Sequence, residues 1–172
     1  MLAGACRLCC VAAVPTTPTA HLLHGFLGVG KTTFARELAQ RERAVRFTHD
    51  EWMVRLYGQD PPAALFPELA ARVTATMEET WTRCLIVGTS VVLDYGFWSR
   101  AERAAAAARV AECGGKAILY RLSCPDEVAR ARLARRARCE TDGLSISPTT
   151  YDTLYVRFEP LGDDEPHVEV SI

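Results

Sequence analysis

Residues 21–34 read HLLHGFLGVGKTTF, a short apolar run that breaks into spaced glycines and ends in Lys-Thr-Thr-Phe. Within it, Gly25-Phe26-Leu27-Gly28-Val29-Gly30-Lys31-Thr32 satisfies G-x-x-x-x-G-K-[ST] at every position. Glycines admit backbone conformations that turn several N–H groups into one concavity, an arrangement suited to an anion. The helix expected to follow aims its positive end at the same point. On this reading residues Gly25 to Thr33 (GFLGVGKTT) form a nucleotide-phosphate cradle, Lys31 reaches the β- and γ-phosphates, and the Thr32 hydroxyl ligates Mg²⁺. A glycine-rich turn with an incidental lysine would not need a strand before it and a helix after it, and this stretch has both patterns.

The rest of the chain removes several uses for such a cradle. There is no Asn in the sequence, so a guanine-reading N-K-x-D cannot exist, and Asp94-Tyr95-Gly96 stands where a D-x-x-G switch would be needed. A dinucleotide fingerprint G-x-G-x-x-G fails because Gly28-Val29-Gly30 continues as Lys-Thr-Thr. A length of 172 residues suits one domain, and a net charge of −1 supplies no global field toward nucleic acid or anionic membrane. All but two of the 20 basic residues are Arg, the others being Lys31 and Lys116. The 7 cysteines, an odd number without a paired framework, do not read as a disulfide scaffold. No apolar run approaches the ~18 residues of a membrane span. Leu8 to Val14 has the length of a short signal-peptide core, yet a strand begins soon after it and an ATP site needs ATP. The expectation is therefore a tail over residues 1–19, a folded domain over 20–172, and a cytoplasmic location.

Hydrophobic periodicity gives an alternating order of elements. His21–His24 reads as a strand, Thr32–Arg41 as a helix with Phe34, Ala35 and Leu38 inward, and Val45–Thr48 as a second strand. A short helix spans Glu51–Tyr57 and a long one Pro67–Val87, the latter closed by Gly88. Ser90–Asp94 is a continuous apolar run ended by an acid, as in a buried parallel strand. Ser99-Arg100-Ala101-Glu102 is a capping box opening an Ala-rich helix, and Ala117–Leu122 is the fourth strand. Helices starting at Pro125 and Ser147 and a closing strand over His167–Ile172 complete the pattern. Such alternation predicts an α/β fold with a parallel sheet covered on both faces.

Ligands in open α/β sheets bind beyond the carboxyl ends of the strands. Asp50, just past the second strand, is placed to take the proton of an acceptor hydroxyl, although Asp is also a favoured helix cap. Asp94 has the setting of an acid that binds Mg²⁺ or holds the Thr32 hydroxyl; a turn residue is the plainer alternative. The helix after Pro125 carries Arg130, Arg132, Arg135, Arg136 and Arg138. Arg132 and Arg136 share one face and could neutralise charge on a transferring phosphoryl group, while the other three read as solvated surface. Trp52, Tyr57, Phe97 and Trp98 lie close to the two acids in sequence and serve either a substrate pocket or the core.

Taken in order, the P-loop, His49-Asp50-Glu51-Trp52-Met53-Val54-Arg55, Val91-Val92-Leu93-Asp94-Tyr95-Gly96-Phe97-Trp98 and the Arg132/Arg136 helix resemble the small P-loop kinases. The similarity is to the bacterial AAA-domain kinase group, related to the kinase domain of polynucleotide 5′-kinase, chloramphenicol phosphotransferase and zeta toxins, and runs from about Leu22 to Glu165. It implies a P-loop NTPase three-layer sandwich, five parallel strands in the order 2-3-1-4-5, and a helical lid bearing arginines. It also implies that Asp50 activates the acceptor hydroxyl and that Arg136, with Arg132, lies on the triphosphate. Polynucleotide kinase has a basic residue three positions after that acid; Met53 stands there in this chain. Phe158-Glu159-Pro160 with Asp164-Glu165 resembles the C-terminal signature of the group. The expected activity is ATP- and Mg²⁺-dependent phosphorylation of a hydroxyl on a small organic molecule. A 5′-hydroxyl polynucleotide kinase and an ATP-binding regulator without transfer are the alternatives.

Overall fold

The computed structural model describes residues 17–139 and 148–172, the side chains of 136–139 and 148–150 excepted. The expectation for residues 1–16 falls outside the described residues. Strands β1 (Thr19–His24), β2 (Val45–Thr48), β3 (Val91–Gly96), β4 (Lys116–Ser123) and β5 (Val168–Ser171) form one parallel sheet in the order β2-β3-β1-β4-β5. Helices α1 (Lys31–Arg41), α2 (His49–Tyr57), α3 (Phe66–Ile86), α4 (Arg100–Glu112), α5 (Asp126–Cys139) and α6 (Pro148–Tyr155) fill the connections.

The pleat divides the strand residues between two cores. Ala20, Leu22, Phe47, Val91 and Leu93 face Val73, Met77, Trp81 and Leu85 of α3 and Val110 of α4. Leu23, Val92, Tyr120 and Leu122 face Ala35 and Leu38 of α1. Burial on both faces is why β3 opens with the continuous apolar run Val91-Val92-Leu93, and β1 is buried from Ala20 to His24. The result is the three-layer P-loop NTPase sandwich, with the expected strand order.

Local signals place several ends. Ser99 accepts from the Glu102 N–H at 3.1 Å while the Glu102 carboxylate accepts from the Ser99 N–H at 3.1 Å, the reciprocal box that starts α4. Gly88, at φ 82°, follows α3 in the left-handed region and donates to the Leu85 carbonyl at 2.9 Å. Two boundaries that bear on function differ from expectation. Strand β3 continues through Tyr95 and Gly96, so Asp94 lies inside it rather than at its end. Helix α2 begins at His49 with Thr48 as its N-cap, so Asp50 is a first-turn acid and not the cap. No helix among the described residues is long and apolar enough to cross a membrane.

Candidate active site

Strand β1 enters the loop at Gly25, and α1 leaves it at Lys31. Gly30, the N-cap of α1, has φ 100° and supplies no side-chain cap. The first-turn N–H groups of a helix have no intrahelical acceptors, so this end of α1 is open to an anion. The glycines are required by space as well as by conformation. A Cβ on Gly25 would stand 2.8 Å from the Leu122 carbonyl oxygen, and one on Gly28 (φ 77°) would stand 2.5 Å from that of Ala129 in α5. Phe26 and Val29 are buried, Leu27, Gly28, Lys31 and Thr32 are half-buried, and Thr33 is exposed in the first turn. Lys31 Nζ donates to the Phe26 carbonyl at 2.8 Å.

Asp94 is the centre of the charged groups. Its side chain is buried, and the nearby Thr32 hydroxyl favours its charged form. In the β2–β3 register Thr48 stands opposite Asp94, and its hydroxyl donates to Oδ2 over a long 3.5 Å. Burial pushes the Asp94 carboxyl up from its ordinary value. The charge of Lys31 and the Thr32 hydroxyl oppose this, the charge of Asp50 adds to it, and Arg46 opposes it again. One carboxylate thus feels Lys31, Thr32, Asp50 and Arg46 together. Asp50 itself is half-exposed, with His49 Nδ1 3.8 Å from its Oδ1.

These residues fit a nucleotide phosphate and a divalent cation. The cradle is one that added Cβ atoms would fill, and the Thr32 hydroxyl with the Asp94 carboxylate is a hard oxygen pair of the type Mg²⁺ takes.

Of the α5 arginines, Arg132 reaches the loop: Nη1 donates to the Val29 carbonyl at 3.4 Å. Arg136 lies one turn further along α5, and its side chain is outside the described ones. Arg130 is exposed as expected, but it is not idle. It bonds Asp126 at 2.7 Å and Asp152 at 2.9 Å and lies 4.2 Å over the Tyr151 ring, tying α5 to α6. The aromatics part company. Phe97 is buried and stacks on Tyr95, and Trp52 packs against the core beside Phe47. Tyr57 stays exposed, and Trp98 turns to the loop, donating to the Gly25 carbonyl at 3.3 Å.

Three features of the site were not read from the sequence. Phe26 is the hub of an aromatic cluster, with Trp98, Tyr151, Tyr155 and Phe158 at ring distances of 5.2, 4.8, 5.1 and 5.4 Å. His24 is buried, stacks on Phe158, and binds the Phe97 carbonyl through Nδ1 at 2.9 Å. Arg103, also buried, grips Glu165 and donates to the carbonyls of Phe97, Trp98 and Glu159. It thereby fastens the Phe158–Glu165 segment over the loop. Phe97, at φ 44°, adopts an uncommon backbone for a non-glycine residue, and its carbonyl receives both His24 and Arg103. A Phe between the loop glycines and an Arg on an Ala-rich helix were the visible signals, but neither named its partner.

The family profile described as "AAA domain" (AAA_33) matches residues 21–161, and the chain belongs to that family. No curated protein matches the sequence significantly. Among solved structures, a candidate kinase of Chloroflexus aurantiacus superposes with TM-score 0.70 at 20% identity, over 90% of this chain and 85% of that one. A chain of the Pnkp1/Rnl/Hen1 RNA repair complex gives 0.68 at 23% identity, over 82% of this chain and 44% of that one. The Mycobacterium tuberculosis APS kinase CysC, in complex with AMPPNP and APS, gives 0.60 at 16% identity, over 91% and 90%. At these identities the likeness is one of fold.

Proposed function

We propose that the protein is an ATP- and Mg²⁺-dependent kinase that transfers the γ-phosphoryl group of ATP to a hydroxyl of a small organic molecule. The observation that carries this reading is the grouping of Lys31, Thr32 and Asp50 around the buried Asp94 carboxylate, at the mouth of a glycine-walled loop. Kinship with the AAA-domain family and a fold shared with APS kinase support it.

In this proposal the loop amides and Lys31 hold the β- and γ-phosphates. Thr32 and Asp94 would hold Mg²⁺, which when bound offsets phosphate charge. The acceptor oxygen attacks phosphorus, the bond to the bridging oxygen breaks, ADP leaves, and Asp50 takes the hydroxyl proton. Arg132, at the loop rim, and Arg136 neutralise the charge that builds on the transferring group.

Replacement of Asp50 by Asn tests the assignment. Transfer should fall by at least ~10², the lower range for loss of a positioned base, with ATP affinity near normal. Unchanged transfer would remove Asp50 from the mechanism. The acceptor is found by following ATP consumption over sugars, nucleosides, antibiotics and 5′-hydroxyl oligonucleotides. A 5′-hydroxyl polynucleotide kinase is the second reading, favoured by the likeness to the RNA repair complex. ATP binding without a phosphorylated product from any acceptor would instead indicate a nucleotide-binding regulator.

A further inference from the structure

Next to Asp50, on the same first turn of α2, Glu51 binds two arginines from two other elements. Its Oε1 accepts from Arg36 Nη2 of α1 at 3.0 Å, and its Oε2 accepts from Arg46 Nη2 of β2 at 2.7 Å. Arg46 Nη1 donates to the Thr48 hydroxyl, which in turn donates to Asp94 Oδ2. The Arg46 and Glu51 side chains are only 21% and 27% exposed, so their pair is sheltered, whereas Arg36 is 55% exposed. The hydrogen bond from Arg46, opposed by partial burial and aided by Arg36, holds the Glu51 carboxyl below its usual range. Glu51 is therefore ionised at neutral pH.

A guanidinium recognises phosphate through the same planar fork that it offers a carboxylate. Glu51 takes up one nitrogen of Arg46, whose other terminal nitrogen is on the Thr48 hydroxyl, and one nitrogen of Arg36, and it offsets part of their field. A phosphate group beside Asp50 would meet two carboxylates in place of two available guanidinium groups. We infer that Glu51 sets acceptor specificity: by engaging Arg36 and Arg46 it favours acceptors uncharged around the reacting hydroxyl and disfavours polyanions. The inference rests on the kinase reading above for the place of the acceptor beside Asp50. It concerns which acceptor the site takes, not whether transfer occurs.

The test is a salt titration of binding to a 5′-hydroxyl single-stranded oligodeoxynucleotide, with saturating AMPPNP filling the cradle. Each phosphate gripped on a single strand contributes about −0.7 to the slope of log K against log salt. Glu51→Gln, which keeps the shape and removes the charge, should bind the oligonucleotide more tightly than the unaltered chain at low salt. Its slope should be steeper by about 0.7 to 1.4, one or two released arginines. Adding Arg46→Met to Glu51→Gln should remove much of that gain. Arg46→Met should cost less affinity in the unaltered chain than in the Glu51→Gln background, since Glu51 already offsets part of that arginine's charge.

An E51Q slope equal to that of the unaltered chain, weaker binding by E51Q, or a loss from R46M as large in the unaltered chain as in E51Q would each overturn the proposal. AMPPNP binding is measured first on the unaltered chain. Its absence would overturn the kinase reading and this inference with it. AMPPNP binding with an unchanged E51Q slope would overturn the role of Glu51 alone.

Discussion

Arg103 and Glu165, 62 positions apart in the chain, form a two-pronged ion pair at 2.7 and 2.8 Å, with side chains only 3% and 14% exposed. Through it the segment carrying Phe158 is fastened to α4 and to the loop after β3. Removing one partner of a buried pair leaves the other charge uncompensated, which costs about 3–5 kcal/mol. Glu165→Ala should therefore lower the melting temperature by about 6–20 °C, at about 2–4 °C per kcal/mol for a chain of this size. The guanidinium of Arg103 holds the Glu165 carboxyl down to about 2, against an ordinary 4.5. The stability this contributes is complete above pH 4.5 and is lost as the pH falls toward 2. Urea unfolding followed across that interval should show a loss in the unaltered chain that is smaller in Glu165→Gln.

Gly28 and Gly88 share the same left-handed backbone, at φ 77° and 82°, but not the same surroundings. A Cβ at Gly88 meets nothing within 4 Å, while one at Gly28 runs into the backbone of Ala129. Gly88→Ala should cost about 1–3 kcal/mol of strain and leave nucleotide affinity unchanged. Gly28→Ala carries the same strain plus displacement of α5 from the loop. Calorimetric titration with ATP should show its affinity reduced at least tenfold.

Burial holds His24 and His21 below the ordinary histidine value of 6.5. The Phe97 carbonyl can only accept, so His24 carries its proton on Nδ1, and charging would have to occur at Nε2 inside the aromatic cluster. The unfolded chain takes up protons as the pH falls through 6.5, while the folded chain resists them. Stability is thus full above pH 6.5 and falls below it, by up to about 1.4 kcal/mol per pH unit for each histidine. Urea denaturation between pH 7 and pH 5 measures the slope, and His24→Gln should make it shallower.

Lys31 lies in the proposed cradle and acts on Asp94 through its charge. Lys31→Met should lower transfer to every acceptor by a common factor of about 10²–10³, the range for losing one preorganised electrostatic contact. A factor that differed strongly between two acceptors, in steady-state kinetics, would contradict a role confined to the donor.

Much of the fold was legible because its signals are local. The capping box at Ser99 and the stop at Gly88 depend on residues three or four apart, and the Gly25–Thr32 loop is a contiguous octet. Asp94 and Asp50 were legible as acids toward the carboxyl ends of β3 and β2, but their settings were not. Whether β3 ends at Asp94 or two residues later is decided by pairing with β1, where His24 stands opposite Gly96. Whether Asp50 caps a helix or sits inside its first turn is decided by the start of α2 at His49. Arg130 read as surface because a charged side chain on a helix shows no sign of the ring it will cover 21 residues away.

By itself the sequence determined that strands and helices follow one another along this chain and that it carries a P-loop. Those properties follow from period and glycine placement, neither of which needs a partner. Only the tertiary structure decided that Phe26 anchors four aromatic rings, that Arg103 seeks Glu165, and that Glu51 engages two arginines beside Asp50. The physical reason is range. Charge pairing and ring packing act between atoms in contact, and which distant atoms come into contact is settled by the sheet order and the two cores that the whole chain builds together.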